Sequence, residues 1–290
     1  MSIANNVRGI IMKIDVAVLT KDSAQYILQC LDSIIRNVPL SRLIIVDGYS
    51  TDNTLELVKR FETLTNIIVI KDHGNRAVAR QKAIDSVETE WFMFVDSDVV
   101  LCDYWFKKVQ KYMEPDVGLI WGYVTQKNPQ GAARMDAERT LFNRLRKNRN
   151  RHEVEFTARG GTHDTLIRLK AVENIRIPSQ LHFYEDMFIK NWVEAQGYKV
   201  ISTPDPCCIH FGPLTASKEE LILSGVLEHQ LGTMKFLRFI RRLLLLPIRL
   251  IWVAMYTKNL SAIQNTIRNN IYPCVGWLKA LYAHDQYGSE

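Results

Sequence analysis

Trp91-Phe92-Met93-Phe94-Val95-Asp96-Ser97-Asp98 is the stretch on which the fold turns. Five apolar residues in a row, mostly aromatic, end abruptly in two carboxylates two positions apart. An uninterrupted apolar run of this length reads as a strand buried on both faces. The carboxyl end of such a strand is where a parallel α/β sheet gathers its ligands. Two hard oxygen donors at that point suit Mg²⁺ or Mn²⁺ holding a diphosphate. A helix-capping pair after a strand would use the same residues, and Asp-x-Asp alone does not separate the two.

Working back from this run, strands are expected at Ile14–Leu19, Leu43–Val46 and Ile67–Ile70. Helices are expected between them. Ile27, Leu31, Ile34 and Ile35 have helical spacing within 26–38, Ser50-Thr51-Asp52 offers a cap for a helix carrying Leu55, Val58 and Phe61, and a third helix spans 76–87. Strand-helix alternation with short connections predicts a mostly parallel, Rossmann-like sheet flanked by helices, with right-handed crossovers. Working forward, a helix is expected over 104–112 and a strand over 117–124. A basic helix follows over 132–150, then a tight turn at Gly160-Gly161-Thr162 and a short strand over 165–169. A helix over 184–196 is stopped by Gly197, and a last strand spans 198–202. From Lys218 onward the pattern is helical throughout. This predicts a catalytic domain over 12–215 and a helical, membrane-associating region over 216–290.

The chain has 290 residues, 47% hydrophobic and 23% charged, with a formal net charge of +6. That composition is a folded protein's. The positive excess is clustered: Arg139, Arg144, Arg146, Lys147, Arg149 and Arg151 form one group, and Arg238, Arg241, Arg242 and Arg249 another. Such clusters meet phosphates or anionic membrane, or serve as solvated helix faces. Five cysteines without metal-ligand or framework spacing predict a reducing compartment and no disulfides. The first twelve residues lack the continuous apolar stretch of a signal peptide. The protein is expected on the cytoplasmic face of a membrane, as a peripheral, monotopic protein.

Three further segments carry polar residues at strand ends. Asp47 in Val46-Asp47-Gly48-Tyr49-Ser50-Thr51-Asp52 can accept a hydrogen bond from a nucleobase N–H. Arg80, one turn into the helix after strand three, can pair with phosphate or orient Asp47. Tyr184-Glu185-Asp186 opens a later helix. In this order the motifs resemble those of the family 2 glycosyltransferases, which have the GT-A fold. Thr20-Lys21-Asp22 stands where the family has Thr-Tyr-Asn. Residues 46–52 match its Val-Asp-Asp/Gly-x-Ser-x-Asp motif. Ala79-Arg80-Gln81 matches its Ala-Arg-Asn, with glutamine replacing asparagine, and Asp96-Ser97-Asp98 matches its metal motif. Glu185-Asp186, with Gly197 beyond, matches its Glu-Asp segment. The usual glycine-rich turn before strand four is replaced by Glu88-Thr89-Glu90.

The resemblance, covering about residues 12–212, implies roles. Thr20, Asp22, Asp47, Asp52, Asn75, Arg80 and Asp96 would bind a nucleoside-diphosphate sugar. Asp96 and Asp98 would hold the cation, Mn²⁺ or Mg²⁺, with His210 as a third ligand. Asp186 would be the general base and Glu185 its neighbour, acting on its pKa or on the acceptor. His163 and His182 are weaker candidates on the acceptor side. A GDP-mannose or UDP-hexose donor is open. A phosphate acceptor is ionised near neutral pH and needs no base, so the Glu-Asp pair favours a hydroxyl acceptor on a membrane-bound glycan or glycolipid. A polyprenyl-phosphate sugar synthase is the alternative. A nucleotidyltransferase would carry a glycine-rich loop after strand one, which is absent here, and a non-catalytic scaffold would not need Asp96, Asp98 and Asp186 together. No nucleic-acid partner is expected.

The stretch 236–256 is leucine-rich but broken by Pro247 and Arg249. A spanning helix needs about 20 apolar residues, and a central arginine costs roughly 2.5–3.5 kcal/mol. The segment is therefore expected to lie in the interface with its arginines at the headgroups. Packing on the main domain, or on a second copy in a homo-oligomer, is the other outcome.

Overall fold

The computed structural model describes residues 12–127, 137, 141, 161–182, 184–212, 216–230, 232 and 234–287. The basic helix expected over 132–150 lies almost wholly outside these residues. Eight strands are seen among them: β1 (Ile14–Thr20), β2 (Leu40–Asp47), β3 (Asn66–Lys71), β4 (Trp91–Asp96), β5 (Val99–Leu101), β6 (Val117–Gln126), β7 (Asp164–Arg168) and β8 (Lys199–His210). They form one sheet in the order β3-β2-β1-β4-β7-β6-β8-β5. The half from β3 to β4 is parallel, β7 is antiparallel to both neighbours, and β6 and β8 are again parallel.

Period-two alternation sorts the central strands onto two cores. Val16, Val18, Met93 and Val95 face one way, with Ile27, Leu31 and Ile34 of α1 (Ile27–Asn37) and Trp105 of α4 (Trp105–Val109). Ala17, Ile44, Phe92 and Phe94 face the other way, with Ala77 and Ile84 of α3 (Arg76–Ser86) and Met187 and Val193 of α5 (Glu185–Ala195). Both faces of β4 are covered, which is why its sequence is apolar without alternation. α1 stops at Val38, whose extended backbone precedes Pro39.

Two local expectations are revised. The helix after β2, α2 (Thr54–Lys59), starts at Asn53 rather than within 50–52. Asp52 receives Thr54 N at 3.0 Å from just outside the helix, leaving the cap to the neighbouring residue. The last strand runs to His210, not 202, because β6 pairs with it to that end and the short β5 flanks its last residues on the other side.

The C-terminal part is helical: α6 (Lys218–Gln230), α7 (Phe236–Leu244), α8 (Leu246–Thr257) and α9 (Leu260–Tyr287). A capping box opens α6. Ser217 Oγ accepts Glu220 N at 3.0 Å, and Glu220 Oε2 accepts Ser217 N at 2.7 Å. α6 and α9 cross backbone to backbone: a β-carbon at Gly225 would lie 1.8 Å from Pro273 O, and one at Gly276 1.8 Å from Ile222 O. Leu227 of α6 joins the core under the sheet. Pro247 in the first turn of α8 separates it from α7. Among the described residues no helix is long and apolar enough to cross a membrane.

Candidate functional site

The carboxyl ends of β1, β2 and β4 meet at one edge of the sheet, where β4 delivers Asp96. Asp98 follows at the turn into β5. β8 returns antiparallel to β5, pairing Val99 with His210, and Phe211 N donates to Asp98 O at 2.8 Å. This brings His210 Nε2 to 3.5 Å from Asp98 Oδ2. A β-carbon at Gly212 would lie 1.9 Å from Asp98 Oδ2, so the carboxylate can hold this position only while residue 212 is glycine. Burial pushes the Asp98 carboxyl above the ordinary range; His210 opposes this, and the charge of Asp96 adds to it. A half-buried carboxylate beside a second carboxylate and an imidazole edge suits a divalent cation. The mixed oxygen and nitrogen donors suit Mn²⁺ better than Mg²⁺.

Arg80 is the cation around which the rest of the site is organised. It is buried, its guanidinium stacks 4.5 Å from the centroid of the Phe94 ring, and Nη2 donates to Asp96 Oδ1 at 2.6 Å and Thr162 Oγ1 at 2.7 Å. Nε lies 3.9 Å from Glu185 Oε1. Arg80 therefore orients Asp96 and Glu185, not Asp47. Burial alone would raise the Asp96 carboxyl, but Arg80 outweighs it and holds the group below its ordinary range. Glu185 differs: burial dominates, Asp186 adds to it, and the carboxyl is pushed up to about 7 despite Arg80. Asp186 sits in the first turn of α5, near enough for its charge to act on both Glu185 and His163.

The other expected residues divide. Thr20 is buried at the end of β1, and its Oγ1 has no hydrogen-bond partner among the described residues, which leaves it available to a ligand. Asp47 has no exposed surface, and its carboxylate accepts Ser50 N at 3.0 Å and Ser50 Oγ at 2.6 Å. Asp22 accepts Thr51 N at 2.7 Å, and Asp52 accepts Ala24 N at 3.0 Å. These two bonds tie the loops after β1 and β2 to each other. Asn75 caps α3, taking Ala77 N at 3.0 Å, while its Nδ2 donates to Ser179 O at 2.6 Å. The side chains of Asp22, Asp52 and Asn75 are thus engaged within the chain, shaping the crevice from behind.

His163, a weaker candidate on the acceptor side, belongs to a second buried group whose other members the motifs do not mark. His163 Nδ1 lies 2.5 Å from Asp164 Oδ1, and Trp105 Nε1 donates to Asp164 Oδ2 at 2.8 Å. Burial would lower the imidazole pKa, but Asp164 raises it above the ordinary value. Cys208 Sγ is 3.6 Å from His163 Nδ1, and the three donors lie within 4.8 Å of one another. Trp105 holds one Asp164 oxygen by a hydrogen bond and the imidazole faces the other at ion-pair distance, so the group reads as a His-Asp pair. Its signal in the sequence is His163-Asp164 directly after the Gly-Gly turn. His182 lies at the end of a short helical turn, outside these contacts.

The model of the family described as "Glycosyl transferase family 2" matches residues 15–176. The poly(ribitol-phosphate) beta-N-acetylglucosaminyltransferase TarS of Staphylococcus aureus is 33% identical over 93 residues, 30% of this chain and 16% of that protein. The chain's matches span from 14% to 30% of the length of its curated relatives. Among solved structures, the mannosyltransferase PcManGT from Pyrobaculum calidifontis, in complex with GDP-Man and Mn²⁺, superposes with a TM-score of 0.56 at 17% identity, covering 96% of this chain and 76% of that one. S. aureus TarS 1–349 with UDP-GlcNAc gives 0.56 at 15% identity, covering 95% and 73%. At these identities the likeness is one of fold.

Proposed function

The chain belongs to glycosyl transferase family 2, and from that premise we propose that it moves a sugar, with inversion, from a nucleoside-diphosphate sugar to a hydroxyl of a membrane-bound glycan or glycolipid. The observation that carries this reading is the convergence of Asp96, Asp98 and His210 on one side of Arg80, with Glu185 and Asp186 on the other. Asp98 and His210, with Asp96, would hold the cation. That cation would neutralise charge developing on the departing diphosphate. Asp186 takes the proton of the acceptor hydroxyl, which is a poor nucleophile near neutral pH. Arg80 fixes Asp96 toward the donor and Glu185 beside the base. Thr20 offers its unpartnered hydroxyl to the nucleoside. The donor classes named for the two solved relatives, GDP-Man and UDP-GlcNAc, are both candidates here. TarS is named for poly(ribitol-phosphate), a polymer that shares the hydroxyl acceptor group with the proposed acceptor but is not itself a glycan or glycolipid.

In the domain scheme proposed, residues 12–215 catalyse and 216–290 associate with a membrane surface. A synthase acting on polyprenyl phosphate would leave Asp186 without a proton to take. The test is Asp186→Asn, assayed with Mn²⁺ and a panel of nucleotide sugars. Turnover should fall about 10²–10⁴-fold with donor affinity unchanged, and the wild-type product from an α-linked donor should be β-linked by NMR. Unchanged turnover would remove Asp186 from the base role, and retention at the anomeric carbon would reject the single displacement.

A further inference from the structure

We infer that Cys102 and Cys207 are a modification site, a thiol pair placed to close reversibly into a disulfide that ties β5 to β8. Both lie outside the residues proposed for sugar transfer, so the inference stands apart from that reading. The ladder fixes the pair. Val99, Val100 and Leu101 of β5 stand opposite His210, Ile209 and Cys208 of β8. One step further in the same register sets Cys102 opposite Cys207, and Cys102 N donates to Cys207 O at 3.0 Å. Hydrogen-bonded positions alternate along an antiparallel pair. Back at the start of the ladder, Phe211 N donates to Asp98 O at 2.8 Å, which puts Cys102 and Cys207 on a hydrogen-bonded position too. Residues so paired have Cα atoms about 5.5 Å apart, inside the range of roughly 4.4–6.8 Å that a disulfide spans. Both side chains leave the ladder on one face, opposite to that of buried Leu101 and Cys208.

The pair can be reached and can move. Both are free, half-buried thiols, whereas Cys30, Cys208 and Cys274 are buried. Cross-strand β-carbons stand about 4.5–5.5 Å apart, and a disulfide wants about 3.5–4.5 Å. β5 can close that difference because it is short and ends the sheet, with β8 beside it. Next to the pair is an open cavity of about 450 Å³, lined by Tyr104, Lys107, Lys108, Lys111 and Asp205. Its lysines outnumber its carboxylate, and Lys108 is near enough for its charge to act on Cys102. The oxidant class that fits is a carboxylate-bearing, low-molecular-weight disulfide.

Burial, and then the facing Cys207, push the Cys102 thiol up to about 12. Cys102 therefore keeps its proton at neutral pH, and Cys207 starts the exchange. The Cys207 thiolate attacks one sulfur of the reagent, forming a mixed disulfide and releasing the first thiolate. The Cys102 sulfur then attacks the Cys207 sulfur, breaking the mixed disulfide and releasing the second. Each released thiolate takes up the proton that a protein thiol gave up. Two protein thiols are oxidised by two electrons, and one reagent disulfide is reduced to two thiols. In a reducing compartment the pair rests as thiols, and a half-exposed bridge stays open to reduction. Once closed, it joins positions about a hundred residues apart, a long loop for which a cross-link takes much freedom from the unfolded chain.

The experiment incubates reduced, full-length protein with oxidised glutathione, without denaturant and well below the melting temperature. Two thiols should be lost, and dithiothreitol should restore both. A non-reducing digest should yield one cross-linked pair of peptides, holding Cys102 and Cys207. The melting temperature should rise by several degrees on oxidation. Cys102→Ser and Cys207→Ser should each abolish the cross-link and the rise, with a thermal melt of each variant to check its fold. Raising the salt should slow the reaction, because ions screen the lysines. No thiol loss, a mixed disulfide that persists at Cys207, or a cross-link between Cys207 and Cys208 overturns the inference. So does a rise in melting temperature that survives in both serine variants. A rate indifferent to salt overturns the choice of an anionic reagent.

Discussion

Asp98 is held in a position that a single added methyl group would close. Its Oδ2 occupies the space where any β-carbon at Gly212 would fall, 1.9 Å away. Gly212→Ala should therefore push the carboxylate off His210 and weaken Mn²⁺-dependent nucleotide binding at least tenfold. The core strands lie elsewhere, so the melting temperature should fall by no more than a few degrees. Normal Mn²⁺ titration in a folded Gly212→Ala protein would show that Asp98 is not a ligand. A second residue-scale consequence follows from Glu185, whose carboxyl is pushed up to about 7, mainly by burial. Between its ordinary value near 4.5 and about 7, the unfolded chain has lost this proton and the folded chain keeps it. Stability from this group therefore falls as pH rises through that window. Glu185→Gln holds no proton to lose, so its melting temperature should rise relative to wild type between pH 4.5 and 7 and level off above. A wild type that gains on the variant over the same range would mean that Glu185 is ionised there and paired with Arg80.

The same principle of close approach governs the elements, most sharply where α6 crosses α9. The glycines at 225 and 276 let carbonyls of one helix meet the backbone of the other. Gly276→Ala must separate the helices, and overpacking of this kind costs about 1–3 kcal/mol. A melting temperature lowered by several degrees is expected, and an unchanged one would show that the helices do not pack as closely as this. Neither glycine stood out in the sequence, because a glycine inside a helical pattern does not announce what it touches. What could be read were elements whose burial is written in period: β4, covered on both faces, and α1, whose Ile27, Leu31 and Ile34 share one face. Charged residues were legible by motif but not by partner. His210 lies 3.5 Å from Asp98, whereas Arg80 spans to Glu185, more than a hundred residues on, and Asp47 turns inward to Ser50. Such pairings depend on register across the sheet. β5, only three residues long, sets the one that brings His210 to Asp98.

On the scale of the whole molecule, α7 and α8 present one outward face that packs on nothing described. Leu237, Leu244, Ile248, Ile251 and Met255 are all at least half exposed, and their spacings of seven, four, three and four keep them on one side across the break at Pro247. The arginines expected at the headgroups divide in two. Arg242 turns to Glu228 at 3.0 Å and Arg249 to Asn270 Oδ1 at 2.6 Å, both inward onto the helical packing. Arg238 and Arg241 remain exposed beside the leucines, with Lys235. An apolar stripe edged by cations is the pattern of a helix lying in an anionic interface, and each such cation near the surface is worth about 1 kcal/mol. Arg238→Glu with Arg241→Glu should therefore release the protein from phosphatidylserine-containing vesicles in flotation, with a thermal melt of the variant to check that it is folded. Binding by the wild type should weaken only in part at high salt, since ions screen the arginines and not the burial of the leucines. Neutral vesicles should bind weakly. If the wild type ignores anionic vesicles but sediments as a dimer, and Leu244→Asp with Ile251→Asp returns it to a monomer, the stripe joins two copies of the chain, and the case for a membrane-bound acceptor loses its structural support.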